Sequence, residues 1–371
     1  MKFLFALLLL LHSLIHLLGF VKAFKPEYIS QISKNISKPE GGIWALACVL
    51  LLAGFVLYLQ KNDLWPAIVI GGVILSQVLI NLHWDDARFG TLANLIILGV
   101  ALSAQGSFSF KQKTFNEIST VIHQRERFEK IKDPASLPPP VQKWLTVSGA
   151  INRTNIPIVH LTQKGELRIK PKGKWMPFQA EQYFNTVNPA FLWSSRVTAL
   201  PFIYLDGRDK LLDGKGEMKI KLESLLNIVN EKENHKIDSG SKIRFLGELC
   251  WFPFAAREPY IKWIPINNSS VKAIFHQAES PLEGLFEFSA DGSLRSFEAQ
   301  RFYGGEKESQ KHTWRIDVLE SATFDGLTVP SKCKVIWKLP EGDFHWLTLH
   351  VTGIDYNPDL NSHFKIRPSS I

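Results

Sequence analysis

Glu248 stands alone as a carboxylate in the run Arg244-Phe245-Leu246-Gly247-Glu248-Leu249-Cys250-Trp251-Phe252-Pro253, among Phe245, Leu246, Leu249, Trp251 and Phe252. Turned inward there, it needs a partner or a raised pKa, because burying bare charge is expensive. Phe245, Leu246 and Leu249 share one helical face and nothing breaks the run before Pro253, which predicts a short helix lying across a sheet. Phe297–Tyr303 reads as a strand with Phe297, Ala299, Arg301 and Tyr303 on one face. Two polar groups aligned with apolar ones make Arg301 and Tyr303 the expected partners of Glu248. Trp251, Glu181 and Trp175 complete the expected ligand-binding set. General acid–base chemistry would use Glu248 with Arg301 as anion holder, but it needs a second positioned group. The sequence has no Gly-x-Ser-x-Gly, His-Glu-x-x-His or phosphate loop, so no catalytic residue, cofactor or metal is assigned.

A second polar set lies in apolar surroundings. Phe3–Phe20, Ile43–Leu59, Leu64–Leu82 and Thr91–Ala104 are apolar runs. The first three are long enough to cross a hydrocarbon core of about 30 Å, and the fourth reaches with a flanking phenylalanine. The first resembles a signal peptide, with Ala23 at a cleavage position, but the three runs behind it argue for an uncleaved helix. His12 and His16 share a face about 6 Å apart. His83, Asp85, Asp86 and Arg88 follow the third run, and Asn94 lies one turn inside the fourth. In an up-down bundle these residues gather at one membrane face. Intramembrane ionisable groups are functional candidates by default; this set lies mostly at the interface, so an ion-pair network pinning the helices is the expected role. A metal set would need a spacing motif that is missing. Four lysines in Lys22–Lys38 oppose Lys2, Lys61, Lys111, Lys113, Arg125 and Arg127 across the membrane, so charge leaves orientation open. The large C-terminal domain is expected to be extracytoplasmic, where sheet-rich apolar-ligand domains usually work.

The elements that must position these groups follow from periodicity. Three parts are expected: four transmembrane helices over 1–108, an amphipathic helix (Phe115–Lys132) with a proline-rich linker over 109–140, and a β-sheet domain over 141–371. From Ile156 onward apolar residues alternate with polar ones, with turns at Asp206-Gly207, Asp213-Gly214, Asp291-Gly292, Asp325-Gly326 and Glu341-Gly342. About a dozen strands with few helices predict an α+β chain with one antiparallel sheet. A sheet that wide must curl or split. The 43 Lys+Arg against 35 Asp+Glu give a formal charge of +8 without a dense basic block. That favours membrane lipids as partners and argues against nucleic acid. Cys48, Cys250 and Cys333 make no CxxC pair, and buried thiols are expected, with a Cys250–Cys333 bridge left open.

Several segments resemble an uncharacterised bacterial membrane-protein family, the domain-of-unknown-function family numbered 6544. They are Leu137–Val141, Trp175–Gln182, Gly214–Met218, Arg244–Pro253, Phe297–Tyr303 and Tyr356-Asn357, with His16–Phe24 and Trp84–Leu98 in the apolar half. The chain departs from the family pattern at Phe254-Ala255-Ala256-Arg257-Glu258. The order of elements is also similar to the half-open sheet of lipoprotein carriers. The resemblance implies architecture and no established activity. The expected function is a multi-pass membrane protein whose β-domain binds a lipid or other apolar ligand. The alternatives are a membrane-bound enzyme using Glu248 with Arg301, or a sensor or transport accessory.

Overall fold

The computed structural model describes residues 2–30, 32–122, 130–154, 156–201, 203–276 and 281–359. The chain forms two compact units, one built on residues 1–112 and one on residues 113–365.

The first unit holds α1 (Lys2–Phe24), α2 (Lys38–Leu59), α3 (Trp65–Leu82), the single turn α4 (Trp84–Ala87) and most of α5 (Gly90–Val121). Apart from α4, each helix is long and apolar enough to cross a membrane. Ser37 caps α2 by accepting the Glu40 N–H, and Pro39 occupies the first turn, where a missing N–H costs little. Leu9, Leu51, Val69 and Ile97 are fully buried between the helices, while Leu11, Val49, Ile74 and Leu95 face outward. Glycines let the helices approach closely: a Cβ on Gly19 would sit 2.2 Å from the Trp44 ring, and one on Gly54 2.3 Å from Val69. The fourth apolar run and the start of the amphipathic helix expected from Phe115 form one continuous helix, because α5 runs on to Val121. Gly106 alone costs only about 1 kcal/mol in a helix and cannot end it. Of the rest of the expected amphipathic helix, residues 123–129 lie outside the described residues, and Lys130–Lys132 are not helical.

The second unit is a 13-stranded antiparallel sheet. Six strands form one wing: β1 (Ile158–Leu167), β2 (Met176–Asn185), β3 (Ala190–Leu200), β4 (Ile203–Leu212), β5 (Lys215–Leu222) and β6 (Leu226–Glu231). The other wing runs β7 (Ile261–Asn267), β8 (Ser270–Phe275), β9 (Leu282–Phe288), β10 (Leu294–Phe302), β11 (Lys311–Phe324), β12 (Leu327–Leu339) and β13 (Gly342–Tyr356). Each wing is a meander, and β1 pairs with β13 to join them, leaving β6 and β7 as the two edges. Among the described residues, the α-helices α6 (Pro139–Val147) and α7 (His235–Glu248) accompany the sheet, with short 3-10 turns beside them. The sheet curls around α7, which packs on β4 and β5 of one wing and on β8, β9 and β10 of the other. Phe184, Phe191, Phe245, Phe252, Phe275, Phe286 and Phe297 are fully buried in the resulting core. All three cysteines are free and buried.

Local chemistry explains where the strands turn. Asp213 (φ 48°) and Gly214 (φ 74°) both adopt left-handed backbone between β4 and β5, the pattern of a tight hairpin turn. Asp206-Gly207 is not a turn but lies inside β4, opposite Arg196 and Ser195 of β3. Gly207 is small because a Cβ there would sit 2.8 Å from Ser195 Oγ. Strand β5 ends at Leu222, and the chain reverses through Glu223 and Ser224, both with positive φ. Neither residue advertises such a turn, so β6 has no signal in the sequence. The central helix starts at His235 and not at Arg244, with Asn234 accepting the Lys236 N–H as its cap. Its first half carries the weak helix formers Ser239, Gly240 and Ser241. Close packing explains them: a Cβ on Gly216 of β5 would come within 2.6 Å of the Ile237 carbonyl and Ser241 Oγ.

Candidate functional site

Arg244, one helical turn before Glu248, is the cation that meets it. Its Nε donates to Glu248 Oε1 at 2.7 Å and its Nη1 to Asp209 Oδ2 at 2.7 Å. Gln182 Nε2 donates to the other Glu248 oxygen at 2.8 Å. Beyond it, Gln163 Nε2 donates to Gln182 Oε1 at 3.4 Å and Trp193 Nε1 to Gln163 Oε1 at 2.9 Å. Register creates this row: Gln182, Trp193 and Asp209 are successive cross-strand partners on β2, β3 and β4. The Arg244 guanidinium lies 5.0 Å from both the Phe191 and Trp193 rings. Glu248 is 5% exposed. Burial pushes the Glu248 and Asp209 carboxyls up, against the pull of Arg244.

Arg301 lies on the same concave face but makes a different kind of contact. Its guanidinium sits 4.8 Å from the Trp314 ring centroid and 5.9 Å from that of Trp337. Gly240 of α7 leaves it room, since a Cβ there would be 3.1 Å from Arg301 Nε. Burial and the charge of Arg244 lower its pKa to about 10, with Asp209 and Glu248 opposing. Among the described residues, Nε1 of the adjoining Trp314 is buried with no hydrogen-bond partner.

The other expected ligand-site residues are dispersed. Tyr303 is partly exposed, with Trp337 and His312 against its ring. Trp251 is a core residue whose Nε1 donates to the Pro330 carbonyl at 3.1 Å. Glu181 follows the alternation to the convex face, one residue before Gln182, and approaches His160 at 3.9 Å. Trp175 lies beside Arg168 and His345, away from the Glu248 row. Arg244, Gln182 and Asp209 are the members that sequence reading missed. The spacing of Arg244 and Glu248, four apart on a helix, was the available signal. With both oxygens of Glu248 engaged, it is a poor general base.

The polar residues of the first unit divide into two groups. His12 Nε2 meets Asn94 Oδ1 at 2.8 Å, and Asn94 Nδ2 donates to Ser76 Oγ and Gln77 Oε1, each at 3.0 Å. Ser76 Oγ also meets His16 Nε2 at 2.8 Å. Separately, His83 Nε2 meets Glu40 Oε1 at 2.5 Å, and Asp86 accepts from the Ser33 N–H and hydroxyl at 2.9 Å. Asp85 and Arg88 are exposed, the latter over the Phe89 ring. Ser76 and Glu40, which periodicity alone does not mark, are what tie the histidines in place. No group of three or more His, Cys, Asp or Glu able to hold a metal occurs among the described residues. Asn94→Leu is expected to lower the melting temperature of the detergent-solubilised protein, at about 0.6–1.7 kcal/mol for each interhelical bond lost. An unchanged melt would show that the network does not brace the helices.

Fold and site together define a helical unit able to cross a membrane, followed by an antiparallel sheet curled around one helix with a buried charged row inside. The chain belongs to the family of unknown function DUF6920, whose model matches residues 135–356. That match corrects the family number 6544 suggested by the sequence segments. No curated protein matches the chain. Three solved structures are similar in part. One is described as an outer membrane lipoprotein-sorting protein domain from Vibrio parahaemolyticus (7% identity, TM-score 0.35, 59% of this chain and 92% of that one). Another is a DUF1329 family protein from Desulfovibrio piger (9%, TM-score 0.36, 62% and 98%). The third is a LolA superfamily protein from Nitrosomonas europaea (7%, TM-score 0.32, 60% and 96%).

Proposed function

We propose that this is a multi-pass membrane protein whose β-domain holds an apolar or amphipathic ligand, a lipid or acyl chain, on its concave face. The observation that carries this reading is the part of that face α7 leaves uncovered. Leu205 and Leu222 face each other across β4 and β5, as do Gly207 and Ile220, on the side that bears Asp209 and Leu211. Leu205, Ile220 and Leu222 are only partly buried, and Ile203 and Leu226 at the strand ends are exposed. Elsewhere the same face is filled by Phe184, Phe245 and Phe252. Ligand sites are concave and mostly apolar with a few aimed polar groups, which matches an open apolar wall beside a charged row. The reading favours binding over catalysis because the hydrogen-bonding capacity of Glu248 is taken up by Arg244 and Gln182.

The test is lipid analysis of the protein purified from carbonate-washed membranes in mild detergent. The wild type is expected to retain a lipid species enriched over the bulk membrane, and Leu205→Glu to lose it while still folding. Partition into the wash, or a lipid profile identical in both proteins and the bulk membrane, would count against the proposal.

A further inference from the structure

Resting on that reading, we infer that the ligand carries an anionic head, a carboxylate or phosphate, which seats on Arg301. Among the described residues, the Arg301 guanidinium makes no hydrogen bond and no ion pair within 4 Å, although it lies on the inner face of the curled sheet. Its neighbours do not supply the missing acceptor. Glu248 is engaged at both oxygens by Arg244 and Gln182, and Asp209 is turned to Arg244 at 2.7 Å. Both carboxylates therefore act on Arg301 only at longer range.

The side chain is nonetheless held in place. Trp314 and Trp337 present their rings to it and Gly240 gives it room under α7. An arginine pre-positioned by aromatic faces loses little freedom when it takes a ligand, and its planar fork matches a carboxylate or phosphate in two-point contact. It remains a cation at neutral pH, since even its lowered pKa is about 10. Leaving a cation in these surroundings without an acceptor is costly. Trp314 Nε1, buried without a partner, offers a further donor. Across the interior, the uncovered wall of Leu205, Ile220 and Leu222 suits an acyl chain. The arrangement selects an amphiphile whose charge and chain lie on one molecule.

The experiment compares ligands that share a chain and differ in the head. Lipid-stripped full-length protein held in amphipol is titrated with palmitate, methyl palmitate and 1-palmitoyl lysophosphatidate, with binding followed by calorimetry and tryptophan fluorescence. The acids are expected to bind at least about tenfold more tightly than the ester, the scale of one hydrogen bond to a charged group. That preference should vanish in Arg301→Gln and persist in part in Arg301→Lys. The tighter of the two acids identifies the head as carboxylate or phosphate. Equal binding of acid and ester to the wild type would overturn the anionic head and leave the apolar-ligand reading standing. Absence of binding by all three would overturn both. If Arg301→Gln fails to fold, the wild-type comparison of acid with ester still decides.

Discussion

Arg244→Met is expected to destabilise the sheet unit by about 3–5 kcal/mol, the usual cost of removing one partner from a buried ion pair. The substitution strands Asp209 and Glu248, and Glu248 is almost inaccessible to water. It also removes the cation stacked on Phe191 and Trp193. Thermal melts of the full-length protein in detergent, followed by near-ultraviolet circular dichroism, measure the effect. A melt within a degree or two of wild type would show that the pair is not a brace. Glu248→Gln should be milder, because Arg244 keeps Asp209 and the amide can still bond with Gln182. It also has a pH signature. Burial raises the folded-state pKa of Glu248, so between about pH 4.3, the unfolded value, and that higher value the native state holds a proton the unfolded chain has released. Stability therefore falls as pH rises through this window. Glu248→Gln should flatten the slope, and an unchanged pH profile would contradict the assignment.

Phe245→Ala is expected to cost about 3–5 kcal/mol, the range for deleting a buried aromatic ring. Phe245 is fully buried on α7, with ring centroids at 5.6 Å to Phe252, 6.1 Å to Tyr260, 6.2 Å to Phe184 and 6.2 Å to Phe275. Those four rings come from β2, β8 and the segment between α7 and β7, so a cavity here loosens both wings at once. Phe245→Leu should recover more than half of the loss, since it refills most of the volume. The same denaturation series checks both variants, and equal stability of the alanine and leucine forms would mean that the ring is not packed as described.

Much of the architecture was legible because it depends on short-range pattern. Four apolar runs, period-two alternation and the Asp-Gly turns at 213 and 325 specify the helices, the antiparallel sheet and most hairpins without reference to distant residues. Glu248 also declared itself, since a lone carboxylate among aromatics must be resolved somehow. Its partner had only one local signal, the four-residue spacing from Arg244, and the inward-facing Arg301 competed with it. Arg301 shares a strand face with apolar residues, which says that it turns inward but not how far it reaches across the interior.

Where the local signals misled, a contact between distant residues was responsible. Ser239-Gly240-Ser241 discourages a helix by propensity, yet α7 begins at His235 because those small residues let it lie against Arg301 and Gly216. Asp206-Gly207 looks like a turn, yet it lies in a strand because Gly207 faces the Ser195 hydroxyl. The sequence by itself therefore determined the four apolar helices, most strands of one antiparallel sheet, and that one carboxylate would be buried. Only the tertiary structure decided that Gln182 and Asp209 complete the Arg244–Glu248 row and that Arg301 meets Trp314 and Trp337 instead. Curling the sheet around α7 brings β4 and β10 to opposite sides of one helix, and pairing across that gap depends on curvature, which no run of neighbouring residues encodes.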